Sequence, residues 1–168
     1  MISKRKTTAL IFSIALFISS AFATGAGVQA GLKPGVLINQ NGKEFNSFTG
    51  TLTGSLRFSR IPLVVGAGFE AGKDGYGLMA FADYWIVDVQ VKNTCNFYSG
   101  FGFCADVLTK NFNAFTYSAG TRFFAGMNWL FYDNYLEVFA QQNLVPTYKS
   151  TNDFIIALPF EAGIRMHF

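Results

Sequence analysis

Residues 48–58 alternate with a strict period of two. Phe48, Leu52, Leu56 and Phe58 fall on one face with Gly50 and Gly54, while Thr49, Thr51, Thr53, Ser55 and Arg57 fall on the other. Successive side chains of an extended strand point to opposite faces, so this segment is a strand with one apolar and one polar side. In a soluble sandwich the apolar side meets the core. In a membrane barrel it meets lipid and the polar side lines the interior. Alternation alone does not choose between the two.

Composition narrows the choice once the N-terminus is set aside. Lys4, Arg5 and Lys6 precede an apolar run over residues 9–18, and Ala21 and Ala23 stand at the A-x-A positions read by signal peptidase. This pattern predicts a signal peptide over residues 1–23, since the run is about half the ~20 residues of a spanning helix. No cysteine follows the cleavage site, which argues against a lipoprotein. Without the signal the chain has 145 residues, one domain's worth, with ten basic and ten acidic residues. The net charge of +3 belongs to the signal, so nothing argues for nucleic-acid binding. Only 14% of the chain is charged, 51% is apolar and 20 residues are Phe, yet no mature segment approaches the length of a membrane helix. A secreted chain with this balance suggests a closed barrel, the other structure that satisfies its backbone inside lipid.

Strand signals recur along the mature chain and predict eight strands, over residues 25–38, 47–58, 63–72, 76–90, 97–106, 115–128, 135–142 and 154–168. The fourth is apolar on both sides apart from Asp83 and Asp88, so its facing is open. Connections 59–62, 91–94 and 129–134 are short or aromatic; 39–46, 107–114 and 143–153 are longer and more polar, with 73–75 a tight exception. A barrel with both termini in the periplasm keeps its short turns there and its longer loops outside. Eight strands of 9–11 membrane residues need about 80 residues, which fits. The fold class expected is therefore all-β, a single eight-stranded antiparallel transmembrane barrel over residues 24–168.

The last strand carries a more specific pattern. Leu158, Phe160, Ala162, Ile164, Met166 and Phe168 share one face, and Glu161, Gly163, Arg165 and His167 the other. Glu161, Gly163, Met166 and Phe168 match a polar-x-Gly-x-x-hydrophobic-x-aromatic pattern, which resembles the C-terminal insertion signal of bacterial outer-membrane barrels. In architecture the mature chain resembles the OmpA, OmpX and OmpW type of small outer-membrane protein. The resemblance implies insertion by the barrel assembly machinery, outer-membrane localisation and lipid as the surrounding partner; a monomer is expected. Functions in that family divide into structural anchoring, adhesion through outer loops, and passage of small or hydrophobic solutes.

In this register Arg57, Glu70, Arg122, Glu137, Glu161 and Arg165 point inward, with Lys33, and with Asp83 if the fourth strand faces that way. An eight-stranded barrel is just wide enough for side chains to fill, and isolated buried charges are very costly. These groups should therefore pair into a salt-bridged plug, with a gated pore as the alternative. Gly66, Gly68, Gly100, Gly102, Gly120, Gly126 and Gly163 share the inward face and leave room for arginines and aromatics opposite. Tyr84, Trp85, Trp129, Tyr132 and Tyr135, joined by Phe97 and Phe131, lie near the periplasmic turns and are expected to form an interface girdle.

Cys95 and Cys104 would lie on opposite faces about 30 Å apart in one strand, beyond disulfide reach, so they are expected to be unpaired. Two cysteines and one histidine make a poor metal set. His167, at the periplasmic end, does not match the outer-face site of lipid-modifying barrel hydrolases. No catalytic residue, metal or cofactor is expected. The reading is a structural outer-membrane protein with a filled lumen; a narrow solute channel, a surface adhesin and a secreted lipocalin-like binding barrel are the alternatives.

Overall fold

The computed structural model describes residues 24–38, 44–58, 60–73, 75–151 and 153–168. The signal peptide expected over 1–23, with Ala21 and Ala23, lies outside them. Nine segments form one closed antiparallel sheet: β1 (Gly25–Ile38), β2 (Glu44–Phe58), β3 (Leu63–Gly72), β4 (Gly75–Lys92), β5 (Cys95–Thr109), β6 (Phe115–Phe131), β7 (Leu136–Lys149), β8 (Phe154–Ala157) and β9 (Phe160–His167). β8 and β9 keep the same register against β1 and β7 and make one stave interrupted at Leu158–Pro159, so the barrel has eight staves. Proline has no N–H for the ladder, which explains the break. Following paired residues from Gly27 through Ser55, Gly66, Phe81, Cys104, Gly120, Thr147 and Ile155 returns to β1 at Leu37, ten residues along. That stagger is the shear which fixes strand tilt and barrel width.

The sheet is inverted relative to a soluble protein. Leu52, Phe69, Leu78, Phe103 and Tyr117 are exposed on the outer wall, while Thr53, Glu70, Asp83, Arg122 and Glu137 are buried within. The choice that alternation left open is thereby made: the apolar face is outside.

Several elements differ from the sequence reading. β7 continues to Lys149 instead of ending at Gln142, carrying Pro146 inside it; the β6–β7 ladder skips the two residues between Phe123–Leu144 and Gly120–Thr147 to accommodate that proline. β5 also reaches further, to Thr109, so with the longer β7 the connections 110–114 and 150–153 are shorter than expected, and β2 begins earlier, at Glu44. In β4 the register shifts between Trp85 and Val87, a β-bulge at Ile86. Before it the odd-numbered residues Met79, Phe81, Asp83 and Trp85 face inward; after it Asp88, opposite buried Tyr98, does.

Candidate functional site in the barrel lumen

The lumen is built in three tiers of charge. At the end away from the termini, Lys33 on β1 reaches Asp106 on β5 (Nζ–Oδ2 2.9 Å) and Glu70 on β3 (Nζ–Oε2 3.2 Å). Ser118 also donates to Asp106.

In the middle, Arg122 on β6 bridges two acids. Its Nε lies 3.0 Å from Asp83 Oδ1 and its Nη2 lies 2.9 Å from Glu161 Oε2, with Asn143 a third acceptor. Gln29 and Gln141 donate to the same Glu161 carboxylate, and Tyr98 donates to Gln141. Asp83, Gly102 and Arg122 are direct cross-strand neighbours. The guanidinium reaches Asp83 across Gly102, where a Cβ would come within 2.3 Å of Asp83 Oδ1.

At the termini end, Glu137 on β7 collects Arg165 (2.8 Å), Arg57 (3.3 Å), His167 (2.7 Å) and Asn128 (2.9 Å). Arg57 also pairs with Asp88 at the mouth, at 2.9 Å. Aromatic faces cover each arginine: Arg57 lies 4.1 Å over Trp85, Arg122 4.5 Å over Phe81 and Arg165 4.7 Å over Phe139. A cation over a ring face recovers part of the hydration it has lost.

Arg122, Glu70, Glu137 and Glu161 are fully buried, and each acid among them meets a cation. Lys33, Glu70 and Asp106 line a cavity of about 30 Å³, room for about one water molecule. A larger cavity of about 460 Å³ opens at the termini end, between Arg57, Asp88, Asn96, Asn134 and His167. The Glu137 and Arg122 tiers lie between the two, so the interior is a plugged tube.

Arg57, Glu70, Arg122, Glu137, Glu161 and Arg165 all enter this network, as do Lys33 and Asp83. The sequence reading did not single out Asp106, Asn128, Gln29, Gln141 or Asn143. Asp106 was within reach, since it shares the inward parity of Gly100 and Gly102 on one strand. Of the assembly-signal residues, Glu161 and Gly163 face inward and Met166 and Phe168 are exposed. Tyr84, Phe97, Trp129, Phe131, Tyr132 and Tyr135 are exposed near the termini end. Trp85 corrects the expected girdle: it is buried in the lumen, stacked on Tyr98 with 4.1 Å between centroids. The odd parity that β4 keeps up to the bulge turns Trp85 inward beside Asp83. Cys95 and Cys104 are both free, nine residues apart along β5, with Cys104 buried.

An apolar outer wall around a paired, charged interior defines a transmembrane β-barrel, and the fold is that of the small eight-stranded outer-membrane proteins. The crystal structure of Neisserial surface protein A superposes with a TM-score of 0.56 over 85% of this chain and 97% of that one, at 18% identity. The N-terminal β-barrel domain of Pseudomonas aeruginosa OprF gives a TM-score of 0.51 over 86% and 98%, at 13% identity. No protein-family model and no curated protein matches the chain. At these identities the likeness is one of fold.

Proposed function

We propose that the mature chain, residues 24–168, is a monomeric integral protein of the bacterial outer membrane with a structural, non-catalytic role. In this reading the signal peptide is removed after Ala23, both termini face the periplasm, and Glu161, Gly163, Met166 and Phe168 are presented to the assembly machinery. The observation that carries the structural role is the filled lumen: charged side chains from all eight staves pair within it, with room for about one water at the upper tier. General solute flow would require breaking the Arg122 and Glu137 tiers together. Connections of two to five residues leave little reach for an adhesin, and the exposed apolar wall disfavours a secreted binding barrel.

Two measurements test this. A membrane barrel migrates faster on a gel unheated than boiled and partitions into detergent; mature protein that stayed soluble and monomeric without detergent would overturn the reading. In planar bilayers the structural reading expects no steady conductance, and an open wild-type channel would replace it with the solute-conduit reading.

A further inference from the structure

We propose that the end away from the termini carries a binding site for a phosphorylated lipid of the outer leaflet, formed by Lys73 and Lys110 above the ring pair Tyr76 and Phe112. The site rests on the outer-membrane reading above, which places this end outward.

The geometry begins at Gly75, which closes the β3–β4 connection against Gly72. Its φ of +133° is backbone that side chains rarely adopt. A Cβ there would lie 2.4 Å from the Thr109 carbonyl oxygen and 3.4 Å from Lys110 Cγ, so the 110–114 connection is packed onto the β3–β4 corner. Lys73 and Lys110 therefore leave neighbouring turns at one corner. Both are exposed, and neither has an ion-pair partner among the described residues. β3 and β5 are two strand spacings apart, about 10 Å, and long flexible side chains can converge over that distance.

Below them the 110–114 connection holds a residue that water does not favour. Phe112 adopts a φ of +60°, an outlier for a bulky side chain, and is 69% exposed. The conformation is held locally: the Phe112 N–H donates to Thr109 Oγ1 at 3.0 Å, and Thr109 Oγ1 donates to the Ala114 carbonyl at 2.8 Å. The result lays Phe112 edge-on against Tyr76, with 5.2 Å between centroids, at the top of the outer wall and above exposed Leu78. A strained, exposed phenylalanine makes sense where hydrocarbon covers it.

Two cations above an apolar step match a phosphate headgroup above acyl chains. Lysine recognises phosphate as a point charge, and connections this short hold both lysines at the rim of the wall.

The test uses the folded full-length protein in detergent. Bis-phosphorylated lipid A and the same lipid with both phosphates removed are titrated, with binding read by native mass spectrometry; unheated gel mobility verifies that each variant is folded. Lys73→Gln with Lys110→Gln should weaken the phosphorylated lipid about thirtyfold and leave the dephosphorylated lipid unchanged. Phe112→Ser should weaken both lipids, and inorganic phosphate should not compete. Equal retention of phosphorylated lipid by wild type and the lysine variant overturns the site. Competition by inorganic phosphate as effective as that by lipid overturns the lipid as its occupant. A folded barrel lacking phosphate-dependent binding removes this inference alone, whereas a chain that forms no heat-modifiable barrel removes the outer-membrane reading beneath it.

Discussion

Arg122 and Glu161 meet 2.9 Å apart at the centre of the lumen, each about 98% buried, and every other polar group of the middle tier is arranged around them. Their worth lies in mutual compensation. Removing one member leaves a charge in a low-dielectric interior with no partner, whereas removing all members removes the problem.

Arg122→Ala should therefore destabilise the barrel by about 3–5 kcal/mol, read by urea unfolding in lipid vesicles. Replacing Arg122, Asp83 and Glu161 together by apolar residues of similar volume should restore most of that loss. A single variant as stable as wild type would mean that the central tier contributes nothing to stability.

The plug also has a conductance signature. Arg122→Ala combined with Glu137→Ala takes out two of the largest fully buried side chains, one from each tier separating the two cavities. The double variant should show a small steady current in planar bilayers where wild type shows none. Silence in both would place the block elsewhere, at the Lys33 tier.

Gly102 lets Arg122 reach Asp83. Gly102→Leu should push the Asp83 carboxylate aside and cost about 1–3 kcal/mol from overpacking, whereas Ala105→Leu on the outer wall of the same strand should be near neutral. Thermal unfolding of the two variants separates them; equal stability would show that the space over Gly102 is unused.

The two tryptophans report opposite sides of the wall. Trp129 faces out and Trp85 lies in the lumen beneath Arg57. Quenchers carried on lipid acyl chains should dim the emission of Trp85→Phe protein, in which Trp129 remains, and leave that of Trp129→Phe largely unaffected. Strong lipid quenching of the Trp129→Phe protein would put Trp85 back in the interfacial girdle.

On the lipid face, Phe103→Arg should cost about 2–4 kcal/mol at mid-membrane depth, against little for Phe103→Leu. A tolerated arginine, measured by the same urea titration, would mean that this face does not meet hydrocarbon.

Much of this architecture is legible in the sequence because a barrel needs little beyond strand period and turn chemistry. β1 and β3 begin and end where alternation and glycine place them. Arg57, Glu70, Glu161 and Arg165 face inward because each sits at the polar phase of a regular strand. Pro146 hides the second half of β7: a proline reads as a strand end, and only the two-residue gap it makes in the β6–β7 ladder shows how the strand tolerates it. Trp85 is misplaced for another reason. β4 is apolar on both faces, so its phase cannot be read locally, and a tryptophan close to a turn resembles an interface anchor. The partners within each tier are also illegible, because ten residues of shear decide which staves face one another across the tube.

β4 also carries the bulge at Ile86, whose effect reaches past the strand. One additional residue works as a parity switch: upstream the odd positions belong to the interior, downstream the even ones do as far as Gln90, where the register shifts again. Were Ile86 instead to pair within the ladder, the odd phase would run on, turning Asp88 and Gln90 towards hydrocarbon and Val87 and Val89 towards the mouth. Arg57 would then lose its outer carboxylate, and the lower tier would keep only the acid it already shares with Arg165 and His167. One unpaired residue thus sets whether the mouth of the barrel is ionic or greasy.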